Sequence, residues 1–132
     1  MPTERELPSV MALAYLGDAV YSLYVRRRLV ETGISHAGEL NQRALSFVTA
    51  PKQAELARRL LPLLTEWETD VYRRAHNHKG LGRPSHATHA EYRAATGMEA
   101  LFGYLHMTGQ KERIVALFEL AYPKEQKDED QI

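Results

Sequence analysis

"LAYLGDAVYSLYVRRRL" (residues 13–29) reads as one long apolar helix with a carboxylate, Asp18, set into its middle. Aspartate is a poor helix-interior residue, because its short side chain competes for backbone hydrogen bonds. On a helix its own face holds Ala14, Gly17, Tyr21 and Val25, all small or apolar. A second acid, Glu99, stands in a similar setting in "ATGMEALFGYLHM" (95–107), with Ala95, Thr96, Phe102 and Gly103 around it. A carboxylate among such residues needs an arginine, hydrogen-bond donors or a metal ion as partner. The flanking glycines and alanines leave room for another helix, a metal ion or a phosphate.

Outward from this helix the three-to-four period continues. Pro8 suits a first helical turn, and Gly33 a stop, with Ser35 as the cap of a short second helix marked by Leu40, Ala44 and Phe47. Pro51 opens a third helix with Ala54, Ala57, Leu60, Leu61 and Leu64 facing inward. Thr65 and Glu68 form a capping box that starts a fourth, carrying Trp67 and Val71. A fifth helix holds Ala95, Met98, Phe102 and Leu105 and stops at Gly109, and a sixth places Ile114, Leu117 and Ala121 on one face. No alternating strand pattern or repeat interrupts the series. The prediction is a single all-α domain over residues 1–132, with a core over about 7–121 and a flexible acidic tail over 122–132.

The formal charge is zero, yet it is unevenly spread. Residues 119–132 hold five acids and two bases, so the rest carries 15 bases against 12 acids. Between 73 and 93 there are five bases (Arg73, Arg74, Lys79, Arg83, Arg93), one acid (Glu91) and four of the six histidines. Within that stretch "HNHKGLGRPSHATH" (76–89) has two glycines and a proline and reads as the one long loop. Long loops in small domains are often functional. Arg73, Arg74, Lys79 and Arg83 suit phosphate contacts, and Asn77 suits a 2′-hydroxyl or base edge of RNA; a solvated, charged helix end is the plainer reading. His76, His78, His86 and His89 raise zinc or iron ligation as a rival, although a glycine-rich loop does not promise converging ligands. Arg26, Arg27 and Arg28 suit a helix C-terminus electrostatically and are read as structural. Tyr15, Tyr21, Tyr24 and Trp67 are read as core or subunit contacts.

The chain has no cysteine, which favours a reducing compartment, and "MPTEREL" is too polar for a signal peptide. No apolar run approaches the roughly 20 residues needed to span a bilayer. The expectation is a cytoplasmic protein without membrane contact.

"LGDAVY" resembles the signature helix of the ribonuclease III catalytic domain, and "MEALFGYLHM" that fold's second acidic helix. The longer strings "ALAYLGDAVYSLYVR", "RRAHNHKG" and "YRAATGMEALFGYLHM" are similar to Mini-III ribonuclease, the branch without a separate domain for binding double-stranded RNA. The fuller signature has two more acids before the Asp and one before the Glu; here Met11, Ala14 and Thr96 stand at those positions, a reduction the Mini-III branch shares. The resemblance implies a helical bundle that forms a two-fold dimer, and an Mg²⁺-dependent endoribonuclease with Mn²⁺ as an alternative ion. Asp18 and Glu99 are then the catalytic, metal-holding acids, and Arg73, Arg74, Asn77, Lys79 and Arg83 the RNA-binding set. It further implies cleavage of double-stranded RNA to 5′-phosphate and 3′-hydroxyl ends, in maturation of the 23S ribosomal RNA precursor, with a ribosomal protein that presents the substrate as a candidate partner. The loss of three acids motivates one alternative, a catalytically silent RNA- or ribosome-binding module.

Overall fold

The computed structural model describes residues 7–81 and 87–124. Among them run six α-helices: α1 (Val10–Glu31), α2 (Ala37–Val48), α3 (Ala50–Leu60), α4 (Glu66–His76), α5 (His89–Met107) and α6 (Lys111–Ala121), with a 3-10 turn at Leu61–Leu63. The all-α expectation holds. Arg83, His86 and the tail acids beyond Lys124 lie outside the described residues.

Helix α5 is the hub. Every residue from Ala95 to Leu105 is buried except Glu99, because α1, α3 and α4 each pack along it. The α1–α5 contact is the most extensive in the molecule, and glycine makes it possible. A Cβ on Gly17 would fall on the Glu99 carbonyl, and a Cβ on Gly103 on the Leu13 carbonyl. The two backbones therefore touch at a Gly17–Gly103 crossing, with Leu13, Val20, Tyr21, Val25 and Leu29 buried to either side. Gly97 does the same for α4, where a Cβ would stand 2.6 Å from the Tyr72 ring. Close approach of a neighbouring helix, one of the uses foreseen for the small residues, is realised at these crossings.

The caps follow residue chemistry. Thr65 and Glu68 make both bonds of a capping box at α4, as predicted, and Thr88 with Glu91 makes a second at α5. Two expected starts differ. Ser9, not Pro8, begins α1 by accepting from the Ala12 N–H at 3.1 Å, and His36, not Ser35, precedes α2. Gly109 ends the α5 region at φ 70°, a left-handed turn that suits glycine. Among the described residues no helix is long and apolar enough to cross a membrane.

One ion pair locks the α4 start to α6. Arg113 donates to both oxygens of the buried Glu68, from Nε and Nη2 at 2.8 Å each, and also to the Leu63 carbonyl at 3.1 Å. Burial by itself raises the Glu68 carboxyl, but the Arg113 bonds and the Thr65 backbone N–H outweigh it and hold it below its ordinary value of 4.5. The unfolded chain therefore takes up this proton first on acidification. The pair's stabilisation is full above about pH 4.5 and is lost as pH falls through the lowered native value. Arg113→Met is expected to cost on the order of 3 kcal/mol at pH 7, since it strands a buried carboxylate. Urea midpoints at pH 7 and below pH 4 check this: the wild type loses more on acidification than the variant, and equal losses would deny the pair its role.

Candidate active site

The crossing that glycine permits also determines where the two acids lie. Gly17 rests on the Glu99 backbone, so Asp18, the next residue of α1, stands beside the Glu99 side chain. The two carboxyl groups are close enough to act on each other. Burial first, and then the neighbouring Asp18 carboxyl, push the Glu99 carboxyl up to about 8. Asp18 itself is exposed to solvent. The half-buried Glu99 thus bears the cost of desolvation, and Asp18 forms the open side of the site.

Among the described residues the side chains that act on Glu99 are Asp18 and Gln53, neither of them a cation. An arginine, one of the three partners the sequence allowed, is not what Glu99 has among the described residues. Two adjacent carboxylates, one open to water, are a hard-oxygen donor set of the kind magnesium takes, with positions left for water and a phosphate. The residues present fit such an ion. Thr96, at one of the positions where a further acid stands in the fuller pattern, donates its hydroxyl to the Tyr92 carbonyl at 2.9 Å and so serves its own helix. Ala14 is buried in the crossing.

Gln53 is the residue that periodicity did not single out. It lies on α3 in a buried row with Leu56, Ala57 and Leu60, and is itself 3% exposed. A lone polar residue in that apolar row was the available signal.

The basic segment lies at the junction of α4 and α5. Arg73 and Arg74 occupy the last turn of α4 and both pair with Asp70, at 3.6 and 3.9 Å, as exposed ion pairs. Such pairs contribute little to stability and give way readily to a phosphate. Asn77 caps α4, and its side-chain oxygen meets His76 Nδ1 at 2.8 Å; Lys79 follows, exposed. Arg93 is occupied in the structure itself, donating to the His76 carbonyl at 2.8 Å and so tying α5 to the end of α4. Glu99 is about 9 Å further along the α5 axis. His78 Nδ1 accepts from the Gly80 N–H at 3.1 Å, and among the described residues no three His, Cys, Asp or Glu side chains group as metal ligands.

Arg28 is structural, as expected: it donates to the Tyr122 carbonyl and lies over the Phe118 ring, 5.1 Å from its centroid. Tyr21 belongs to the core and donates to the Phe47 carbonyl at 2.8 Å. Tyr15, by contrast, is 87% exposed, and with Ala12, Ala19, Leu23 and Val30 it forms an open stripe along α1 that is apolar except for the exposed Arg26.

Comparison with known proteins bears on this arrangement. The ribonuclease III domain family matches residues 11–110. A Mini-ribonuclease 3 from Symbiobacterium thermophilum is 49% identical over 111 residues, covering 84% of this chain and 85% of the relative. A Mini-ribonuclease 3 from Desulfitobacterium hafniense is 43% identical over 119 residues, covering 90% of this chain and 75% of the relative. A crystal structure of a Fusobacterium nucleatum protein superposes with a TM-score of 0.82 at 25% identity, covering 90% of this chain and 91% of that one.

Proposed function

The chain belongs to the ribonuclease III family and is an endoribonuclease of the Mini-ribonuclease 3 kind; from that premise we propose that Asp18 and Glu99 hold a magnesium ion with which it cuts double-stranded RNA. The observation that carries this reading is the meeting of two acids, distant in sequence, at a glycine crossing, with no cation among the described residues that act on the half-buried Glu99. Manganese, also an oxygen-binding divalent ion, is the alternative. Bound there, the ion supplies neutralisation of charge on the phosphoryl oxygens and favours attack by water. Glu99, held in the α5 wall, fixes the inner side of the site, and the exposed Asp18 lines the open side that RNA approaches. The reaction leaves 5′-phosphate and 3′-hydroxyl ends.

The substrate in this reading is a stem of the 23S ribosomal RNA precursor, processed in the cytoplasm, with a ribosomal protein presenting it as a further partner. A two-fold dimer suits a duplex, because its two strands are related by approximate dyads and each then meets one site. The open apolar stripe of Tyr15, Leu23 and Val30 supports self-association along α1.

Arg73, Arg74, Asn77, Lys79 and Arg83 hold the duplex. Replacing Arg73, Arg74 and Lys79 together with glutamine is expected to weaken duplex binding and to lower the slope of log affinity against log salt by about 2 to 3. Fluorescence anisotropy over a series of KCl concentrations checks this, and an unchanged slope would move the RNA face elsewhere. The whole reading is tested by incubating the protein with long duplex RNA and Mg²⁺, then probing the products' 5′ ends by ligation with and without phosphatase. Cleavage to ligatable 5′-phosphate ends is the expected result. Binding without cutting would leave a silent scaffold in place of the enzyme.

A further inference from the structure

We infer that Gln53 is a positioning residue for the Glu99 carboxylate, tying it to the α2–α3 junction so that it faces a divalent cation in one fixed orientation. This rests on the reading of Asp18 and Glu99 as the cation site. Gln53 sits in the first turns of α3, its backbone N–H bonded to the Thr49 carbonyl at 3.0 Å. Its side chain is almost wholly buried, and one of its two amide hydrogens goes from Nε2 to the Val48 carbonyl at 3.1 Å. That carbonyl belongs to the last residue of α2, where helical partners run out. The same side chain lies close enough to Glu99 to draw its carboxyl down against the rise that burial causes. One amide thus links the end of α2 to the start of α3 and borders the acid on α5.

The third polar function of this amide separates a positioning role from a stabilising one. Gln53 Oε1 is buried and accepts no hydrogen bond among the described residues. A buried acceptor without a donor costs about 1–3 kcal/mol. An apolar residue at position 53, like its neighbours Leu56 and Leu60, would fill the row without that cost. A group that is costly to bury and that contacts one of two functional acids is accounted for by what it does to that acid. Residues that orient metal-holding side chains typically contribute 10- to 100-fold in affinity or activity.

The test measures Mn²⁺ binding calorimetrically alongside thermal unfolding and steady-state cleavage, for the wild type, Gln53→Met, Gln53→Asn and Asp18→Asn. Gln53→Met keeps the length and removes the amide; Gln53→Asn keeps the amide but draws it back from Glu99. Each folded Gln53 variant is expected to bind Mn²⁺ about 10-fold or more weakly. Its kcat should fall while the KM for duplex RNA stays within about 2-fold, with half-maximal activity at higher Mg²⁺. A merely structural glutamine would lower the melting temperature and leave Mn²⁺ affinity in the folded protein unchanged. That result in either folded variant overturns the inference, provided Asp18→Asn does weaken Mn²⁺. Should Asp18→Asn also bind Mn²⁺ like the wild type, the two-acid site itself fails.

Discussion

Glu99→Gln is expected to leave a folded protein that binds duplex RNA and scarcely cuts it. The substitution keeps the volume of the side chain and its place at the α1–α5 crossing. It also resembles the neutral form that the site already favours, since burial and Asp18 push the Glu99 carboxyl up to about 8. Folding therefore loses little, and urea midpoints should match the wild type closely. What disappears is a carboxyl that can give up its proton and face the cation as the second of two negative charges. If the ion supplies about 4 kcal/mol of transition-state stabilisation, its loss lowers kcat on the order of a thousandfold. Asp18→Asn should do the same from the solvent side. Single-turnover cleavage of a labelled duplex checks both variants, and either one retaining more than a tenth of the wild-type rate would contradict the assignment.

Gly17→Ala is expected to damage the fold more than alanine at any other described glycine, with Gly103→Ala close behind it. The new Cβ at 103 would overlap the Leu13 carbonyl, and that at 17 the Glu99 carbonyl. Backbone cannot move aside as a flexible side chain can, so the helices must separate along the largest contact in the molecule. Overpacking a core usually costs about 1–3 kcal/mol, and a backbone clash of this kind belongs at or above the upper end. Against a total stability of about 5–15 kcal/mol, much of the margin is lost. Gly38→Ala is the control, because a Cβ there meets nothing within 4 Å and α2 should gain slightly from alanine. Separated helices also carry Asp18 away from Glu99, so any folded fraction of Gly103→Ala should bind Mn²⁺ poorly. Melting temperatures of all three variants check the order, and a Gly103→Ala protein melting with the control would refute the account of the crossing.

Much of this arrangement was legible in the residues, for reasons that differ from place to place. Helix α1 was readable because Val10, Leu13, Gly17, Val20 and Tyr24 recur at helical spacing; Leu13, Gly17 and Val20 are buried, and Val10 and Tyr24 are half-buried against the core. The Thr65–Glu68 cap was readable because its signature is local. The equivalent Thr88–Glu91 cap went unread, since it closes a Gly- and Pro-containing stretch whose composition spoke for a loop. That glycines lay beside both acids was visible; that each glycine received the other helix's backbone is a tertiary fact.

The open position of Asp18 was likewise beyond periodicity. Its own helix surrounds it with Ala14, Gly17, Tyr21 and Val25, all buried, but the edge of the α5 contact decides where solvent begins. Gln53 was missed because a count of apolar faces passes over a single polar residue within one. Arg93 counted toward the basic segment by charge alone, whereas its guanidinium holds the end of α4.

The most direct test of the shared cation is a crystal structure of the protein grown with Mn²⁺, with anomalous scattering used to place the ion. The account predicts an anomalous peak coordinated by carboxylate oxygens of both Asp18 and Glu99 at the Gly17–Gly103 crossing. A peak that touches only one of them, or manganese bound only elsewhere on the molecule, would contradict it.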